Sequence, residues 1–197
     1  MINNDKNSYV IKQLMSTKEK NYNLERVQSL KDLKSNLVYN STIKCIEILE
    51  SINPEKNKEI ILETLLWMDI AKTGTKKERK DWLKKGYNLF KHNIGSSEIY
   101  RDYTDNYNHI VYILIKTHGL IGQHIKGEVN LDASKELYAL IEEKYINKKD
   151  LKEILLILNE CIIKEVSTKL YENIKDKVLK DIDNIVNNNF EENINSL

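Results

Sequence analysis

The sequence is poor in the residues that make turns and cross-links. It contains one proline, six glycines and two cysteines in 197 residues. An all-β fold needs many more turn-forming residues than this, and a disulfide-stapled fold needs more cysteines. The two that are present, Cys45 and Cys161, lie among aliphatic neighbours at helical spacing. This pattern predicts buried, reduced thiols.

The chain also lacks a dominant charge and a long apolar run. Lys and Arg total 31 while Asp and Glu total 30, so the whole molecule does not attract nucleic acid and any basic site must be local. The longest apolar stretch, Ile110–Ile115, is far shorter than the ~20 residues of a membrane helix. The amino terminus has no apolar segment typical of a signal peptide. These absences predict a soluble, cytoplasmic protein with no membrane partner.

Helix-forming residues fill most of the chain, with apolar side chains three and four positions apart. This periodicity predicts an all-α fold, a single-domain bundle of about seven or eight helices. We expect a polar arm at residues 1–22, the helical bundle at 23–186 and a loose tail rich in Asn and Glu at 187–197. Hydrophobic residues make up 41% of the chain, which is enough for one core in a domain of this size.

Local patterns set the expected helix boundaries. Asn53-Pro54 predicts the start of a helix, and the apolar pattern that follows ends near Ala71. The segment His92–Gly95 predicts a turn, with Ser96 capping the next helix. Regular apolar spacing from Lys148 to Ile182 predicts one long helix or two collinear helices.

The residues able to carry chemistry lie in the middle of the chain, where all four histidines and all six glycines fall between residues 74 and 127. Asp69 ends an apolar helix and is followed by Lys72, and His118 ends another apolar helix. His92 lies between them in sequence. A carboxylate and two imidazoles at helix ends in one bundle could hold a divalent metal that polarises a phosphate and activates water.

This order of residues resembles the HD phosphohydrolase superfamily over roughly residues 35–165. The shared features are Asp69-Ile70-X-Lys72 after an apolar helix turn, His92 followed by X-X-X-Ser, and His118 closing a hydrophobic helix. Members are helical bundles that hydrolyse phosphate esters of nucleotides and nucleic acids, usually with one or two metals. The resemblance implies a single divalent metal (Mn, Fe or Zn) bound by Asp69, His92 and His118. It also implies catalytic roles for Asp69 and Lys72, with Lys72 near the substrate phosphate.

The chain departs from the family pattern at three positions. Met68-Asp69 stands in place of the family's His-Asp doublet, and a thioether is a poor ligand for the hard ions that suit phosphate chemistry. Asn40 stands nearest to the expected first histidine, and Glu160 and Cys161 stand nearest to the expected closing aspartate. Two interpretations follow. The site is a weakened metal centre, or it has decayed into polar groups that hydrogen-bond one another.

A basic segment, Lys72–Lys85, follows the candidate site. Its cations could bind the phosphate of a nucleotide or nucleic acid, and those proposed to do so are Lys76, Lys77, Arg79 and Lys80. Glu78 and Asp81 interleave with them, which is also typical of an ordinary solvated helix face.

The carboxy-terminal helix has an apolar stripe whose last turns, from Ile174 to Val186, could pair with a second copy of the chain. The sequence therefore leaves two functions open. One is an HD-like phosphohydrolase with a weakened metal site. The other is a non-catalytic binding or regulatory protein that works through the basic helix and the carboxy-terminal helix.

Overall fold

The computed structural model describes residues 38–72, 91–104 and 107–190, and this part of the chain contains helices and turns but no strand. The all-α prediction is confirmed. The helices are α1 (Val38–Ile52), α2 (Lys58–Trp67), α3 (Lys91–Tyr103), α4 (His109–Thr117), α5 (Leu120–Ile125), α6 (Lys135–Glu142), α7 (Lys148–Val166) and α8 (Thr168–Val186), with a 3-10 turn at Leu131–Ser134. The predicted arm at residues 1–22 lies outside the described residues, and so do residues 73–85 of the basic segment.

Buried apolar side chains from α1, α2, α4, α7 and α8 form one core. The ring of Trp67, at the end of α2, packs edge-on against the ring of Tyr100 in α3, with 5.6 Å between centroids. Aromatic pairs favour this arrangement over face-to-face stacking. The contact fixes the end of α2 just before Asp69. In the part of the chain that is described, no helix is long and apolar enough to cross a membrane.

Cys45 and Cys161 are buried free thiols in this core, as predicted. The Cys45 thiol donates to the carbonyl oxygen of Cys161 at 3.6 Å, which joins α1 to α7. Burial raises the pKa of Cys161 to about 12 and the pKa of Cys45 well above its usual value. Because metals and electrophiles react with the thiolate, these protonated thiols contribute packing rather than chemistry.

Helices α7 and α8 form an antiparallel hairpin, so the prediction of one long helix or two collinear helices is wrong. Ser167 between them is extended (φ −167°, ψ 122°), and its Oγ accepts a hydrogen bond from the N–H of Leu170 at 3.2 Å. This side-chain cap begins a new helix. An ion pair of 2.5 Å joins Lys152 to Asp183 and holds the start of α7 beside the end of α8. Both helices pack their apolar side chains against the same core, so the apolar spacing in the sequence continues although the chain reverses direction.

Two predicted boundaries near the candidate site are also wrong. Asn53-Pro54 does not start α2, because Asn53 and Asn57 both adopt left-handed backbone (φ 46° and 59°) and the helix begins at Lys58. Asparagine tolerates this conformation better than most residues. The segment His92–Gly95 is part of α3 and not a turn. The role of Gly95 is close packing, since a Cβ placed there would lie 3.0 Å from the Cβ of Ala71.

A sharp break separates α4 from α5. The side chain of Asn108 accepts hydrogen bonds from the N–H groups of Ile110 and Val111 and starts α4. The helix stops at His118, which leaves the helical region (ψ 141°), and Gly119 follows in the left-handed conformation (φ 77°). Glycine adopts that conformation without a steric penalty. His118 therefore closes an apolar helix, as the sequence predicted.

Candidate metal centre

Three chain segments meet where α2 and α4 end and α3 begins. Asp69 lies in the turn after α2, His92 lies in the first turn of α3, and His118 is the C-cap of α4. Hydrogen bonds join the start of α3 to the end of α4, and the end of α3 to the segment before α4. The two helices are therefore antiparallel, which brings both histidines to the same end of the pair.

One carboxylate oxygen faces both imidazoles. Oδ1 of Asp69 lies 3.6 Å from Nε2 of His92 and 3.6 Å from Nε2 of His118. The three ligand atoms all lie within 4.8 Å of one another. A distance of 3.6 Å is too long for a hydrogen bond. Ligands that share one metal at about 2.0–2.2 Å lie roughly 3.0–3.6 Å apart, so both distances from the carboxylate to the imidazoles fit a common cation.

The other oxygen of the same carboxylate belongs to Lys72, whose Nζ donates to Oδ2 of Asp69 at 3.0 Å. Burial alone would raise the pKa of the Asp69 carboxyl, but the Lys72 ammonium and then the two imidazoles outweigh burial, and the net pKa lies well below its usual range. The carboxylate is therefore ionised at neutral pH. Oδ2 accepts a hydrogen bond from the Lys72 ammonium, and Oδ1 faces the space between the two histidines.

The backbone orients His118 for ligation. Its Nδ1 lies 2.6 Å from the carbonyl oxygen of Ile115. A carbonyl only accepts, so Nδ1 carries a proton and donates it, and Nε2 is the ring nitrogen that faces Asp69. A ring nitrogen opposite a carboxylate oxygen is favourable only with a proton or a metal cation between them. Anchoring through the second ring nitrogen is typical of metal-bound histidines.

His92 is suited to the same task. Burial lowers the pKa of its imidazole to about 3. The ring is therefore neutral at pH 7, and a neutral imidazole is the form that binds metals. The rings of His92 and His118 are tilted by 57° with centroids 5.3 Å apart, so they converge on the carboxylate without stacking on each other. Among the described residues, no further His, Cys, Asp or Glu joins this group.

The other residues that the sequence analysis considered have different surroundings. Met68 is buried in the core, and Asn40 is exposed in the first turn of α1. Glu160 pairs with Lys164 at 2.5 Å in α7. The proposed phosphate-binding cations Lys76, Lys77, Arg79 and Lys80 lie outside the described residues.

A second histidine–carboxylate pair was not predicted. Nδ1 of His124 in α5 lies 2.7 Å from Oδ2 of Asp181 in α8, and Asp181 is buried. This short contact is a direct hydrogen bond, in contrast to the 3.6 Å separations around Asp69. Asp181 lies between Val178 and Ile182 on the buried side of its helix. An acidic residue on the buried side of a helix requires a polar partner. The position of Asp181 on an apolar stripe is therefore the feature of the sequence that could have predicted this pair.

No family model, curated protein or solved structure matches the chain. The class that the structure itself defines is a helical bundle with a buried Asp-His-His cluster. The resemblance to the HD superfamily stays a prediction from the sequence.

Proposed function

We propose that this protein binds one divalent transition metal (Mn, Fe or Zn) through Oδ1 of Asp69 and Nε2 of His92 and His118. We further propose that the centre acts on or binds a nucleotide or nucleic-acid phosphate, as a weakened HD-like phosphohydrolase site in a cytoplasmic protein. The observation that carries the proposal is the convergence of the three ligand atoms within 4.8 Å. Two imidazoles and one carboxylate leave coordination positions for water and phosphate.

The net charge of the metal-loaded centre favours an anionic ligand. The carboxylate of Asp69 and the ammonium of Lys72 already form an ion pair, so their charges cancel before a metal binds. A divalent cation in this buried place would leave the centre with excess positive charge, and the low local dielectric strengthens its attraction for an anion. When bound, such a metal supplies Lewis-acid polarisation of phosphate and lowers the pKa of coordinated water. Lys72 adds no net charge in this count, but an ammonium has three donors, and one of them bonds Oδ2 of Asp69. We propose that Lys72 also donates to a phosphate oxygen.

The same residues explain why the site is proposed to be weakened. The family's His-Asp doublet is Met68-Asp69 here, and the Met68 side chain is buried in the apolar core. The described residues supply three protein ligands of the usual metal-binding types. A single metal lacks the second ion that stabilises both the attacking and the leaving oxygen in two-metal sites, so this centre is expected to hydrolyse phosphate esters slowly or to bind them without turnover.

The first test is the metal content of untagged protein after incubation with manganese, iron or zinc. We expect about one metal per chain, as a three-ligand site permits. The loaded protein is then assayed with p-nitrophenyl phosphate, bis(p-nitrophenyl) phosphate and a nucleotide. Lys72→Met is expected to keep the metal and to weaken hydrolysis or nucleotide binding. Protein that takes up none of the three metals contradicts the proposal.

A second candidate function is that of a non-catalytic binding or regulatory protein working through the basic helix and the carboxy-terminal helix. The turns expected to pair, Ile174–Val186, bury Val178, Ile182, Ile185 and Val186 in the chain's own core. The observation that favours the second candidate is the apolar side chains that stay exposed at the end of α7 and in α8. The exposed fraction is 66% for Val166 and 39% for each of Leu170 and Leu179. Apolar surface marks interaction sites when it is contiguous. Leu170 and Leu179 are nine residues apart and lie on opposite sides of α8, so the surface proposed for pairing is Val166 and Leu170 at the junction of α7 and α8. The partner proposed here is a second copy of the chain.

The dimer is tested by light scattering of wild-type protein and of a Val166→Lys, Leu170→Lys double variant. We expect a wild-type dimer and a variant monomer, because two buried charges disfavour an apolar interface. Tyr145→Lys is the control, since Tyr145 is also exposed (52%) but lies elsewhere in the chain. Wild-type protein that stays monomeric at high concentration rejects the dimer.

A further inference from the structure

We propose that Asn93 and Ser96 are positioning residues of the metal centre and that each ties one ligand-bearing segment to α3. The inference rests on the proposed metal site and goes beyond it, because neither side chain is a ligand. Residues three and four positions apart share a helix face, so His92 and Ser96, and likewise Asn93 and Ser96, are neighbours on α3. Helix α3 would then supply one ligand and hold the other two.

Asn93 joins the first turn of α3 to the end of α4. Its side chain is fully buried, and Nδ2 donates to the carbonyl oxygens of Lys116 at 3.3 Å and His118 at 2.6 Å. Carbonyls at the end of a helix lack partners within the helix. The bond to His118 fixes the backbone of that residue, and the bond from Nδ1 to Ile115 fixes its ring. Together they leave Nε2 in one place.

Ser96 joins the second turn of α3 to the turn that carries Asp69. Its buried Oγ accepts a hydrogen bond from the N–H of Ala71 at 3.1 Å. The turn is closed by a bond from the N–H of Lys72 to the carbonyl oxygen of Asp69 at 3.0 Å. Gly95 allows this approach, because a side chain there would press against Ala71.

The free energy that is lost by burying part of the Asn93 amide without a partner supports a specific role for this side chain. Its Oδ1 is buried and accepts no hydrogen bond from the described residues. Leaving a buried acceptor without a hydrogen-bond donor is unfavourable, and a packing role alone does not require an amide. An apolar side chain of the same size would fill the space but would make neither hydrogen bond to the end of α4. Losing an outer-shell partner typically weakens metal binding 10–100-fold.

The test compares Asn93→Leu, which keeps the size but removes the donor, with Ser96→Ala. Zinc affinity of the full chain is measured by competition with a chelator. Each variant is expected to weaken zinc binding by roughly 10–100-fold. In a His118→Gln background, Asn93→Leu should cause no further loss, because the ligand that it holds is gone. Ser96→Ala should still weaken binding in that background, because it acts through Asp69.

Ser97→Ala is the matched control. Ser97 is as buried as Ser96, and its Oγ donates to the carbonyl oxygen of Ile94 within the same helix at 2.8 Å. It should lose stability without losing zinc affinity. Equal zinc affinity in wild-type protein, Asn93→Leu and Ser96→Ala overturns the inference, as does equal weakening by Ser97→Ala. If Asn93→Leu does not fold, Ser96→Ala carries the test alone.

A readout that needs no metal separates this inference from the proposed function. Imidazole NMR signals of His118 are recorded in chelator-treated protein. We expect Asn93→Leu to shift or broaden them and to leave the His124 signals unchanged. If wild-type protein binds no zinc, the metal proposal fails. Unchanged His118 signals then overturn the positioning role as well, and changed signals support it.

Discussion

Asp69→Asn abolishes metal binding by this protein, whereas Asp181→Asn leaves it intact; this is the largest effect that we expect. The first change replaces a charged ligand atom, Oδ1, with a neutral amide and also removes the ion pair with Lys72. The loss should exceed the roughly 100-fold that follows removal of an outer-shell partner. The second change alters an aspartate of nearly equal exposure (6% against 5%) that is also paired with a histidine.

The comparison is made by zinc titration and by chemical unfolding. A metal present at 100 times its dissociation constant adds about 2.7 kcal/mol to the free energy of unfolding. Wild-type protein and Asp181→Asn should gain this stabilisation, and Asp69→Asn should gain none. His118→Gln and His124→Gln form a second matched pair. His118→Gln should weaken zinc binding without abolishing it, because Asp69 and His92 remain, and His124→Gln should leave zinc binding unchanged. Equal metal binding by Asp69→Asn and Asp181→Asn would place the metal elsewhere in the molecule.

The sequence predicts the three candidate ligands because each lies next to a change in the helical pattern. Asp69 follows an apolar helix, and His118 precedes a glycine at which the helix breaks. The prediction placed His92 in a turn, and it lies in α3. The sequence groups it with the others because it lies between them and because His92 followed by X-X-X-Ser resembles the HD superfamily. What the sequence does not give is the antiparallel pairing of α3 with α4, which sets the distances between the ligand atoms.

The residues that the sequence analysis missed are polar groups inside helices. The contacts of Asn93 and Ser96 span 25 positions in the chain, so no local pattern reports them. Ser167 was missed for a different reason. Apolar spacing reports which face of a helix is buried and not whether the chain reverses, and a single serine between two stripes is the only local sign of the cap.

The second large effect is a pH dependence of stability in the metal-free protein. Burial lowers the pKa of His92 from the 6.5 of an unfolded chain to about 3. Between those values the unfolded state binds more protons than the folded state, so stability falls as the pH falls. We expect about 2 kcal/mol to be lost between pH 7 and pH 5, because each pH unit below 6.5 costs about 1.4 kcal/mol.

The acid dependence is measured by urea unfolding at pH 7 and pH 5 in the presence of a chelator. In His92→Gln the loss attributable to this residue should disappear, because glutamine takes up no proton. Asp69 acts in the same direction at lower pH. Its folded pKa lies below the usual range, so its contribution is present above the unfolded pKa near 4 and is lost as the pH falls below it. If wild-type protein and His92→Gln lose equal stability between pH 7 and pH 5, then His92 is not held neutral by burial.

The same protons compete with the metal for the imidazoles, so zinc release should begin at a higher pH in a weakened variant such as Ser96→Ala than in wild-type protein.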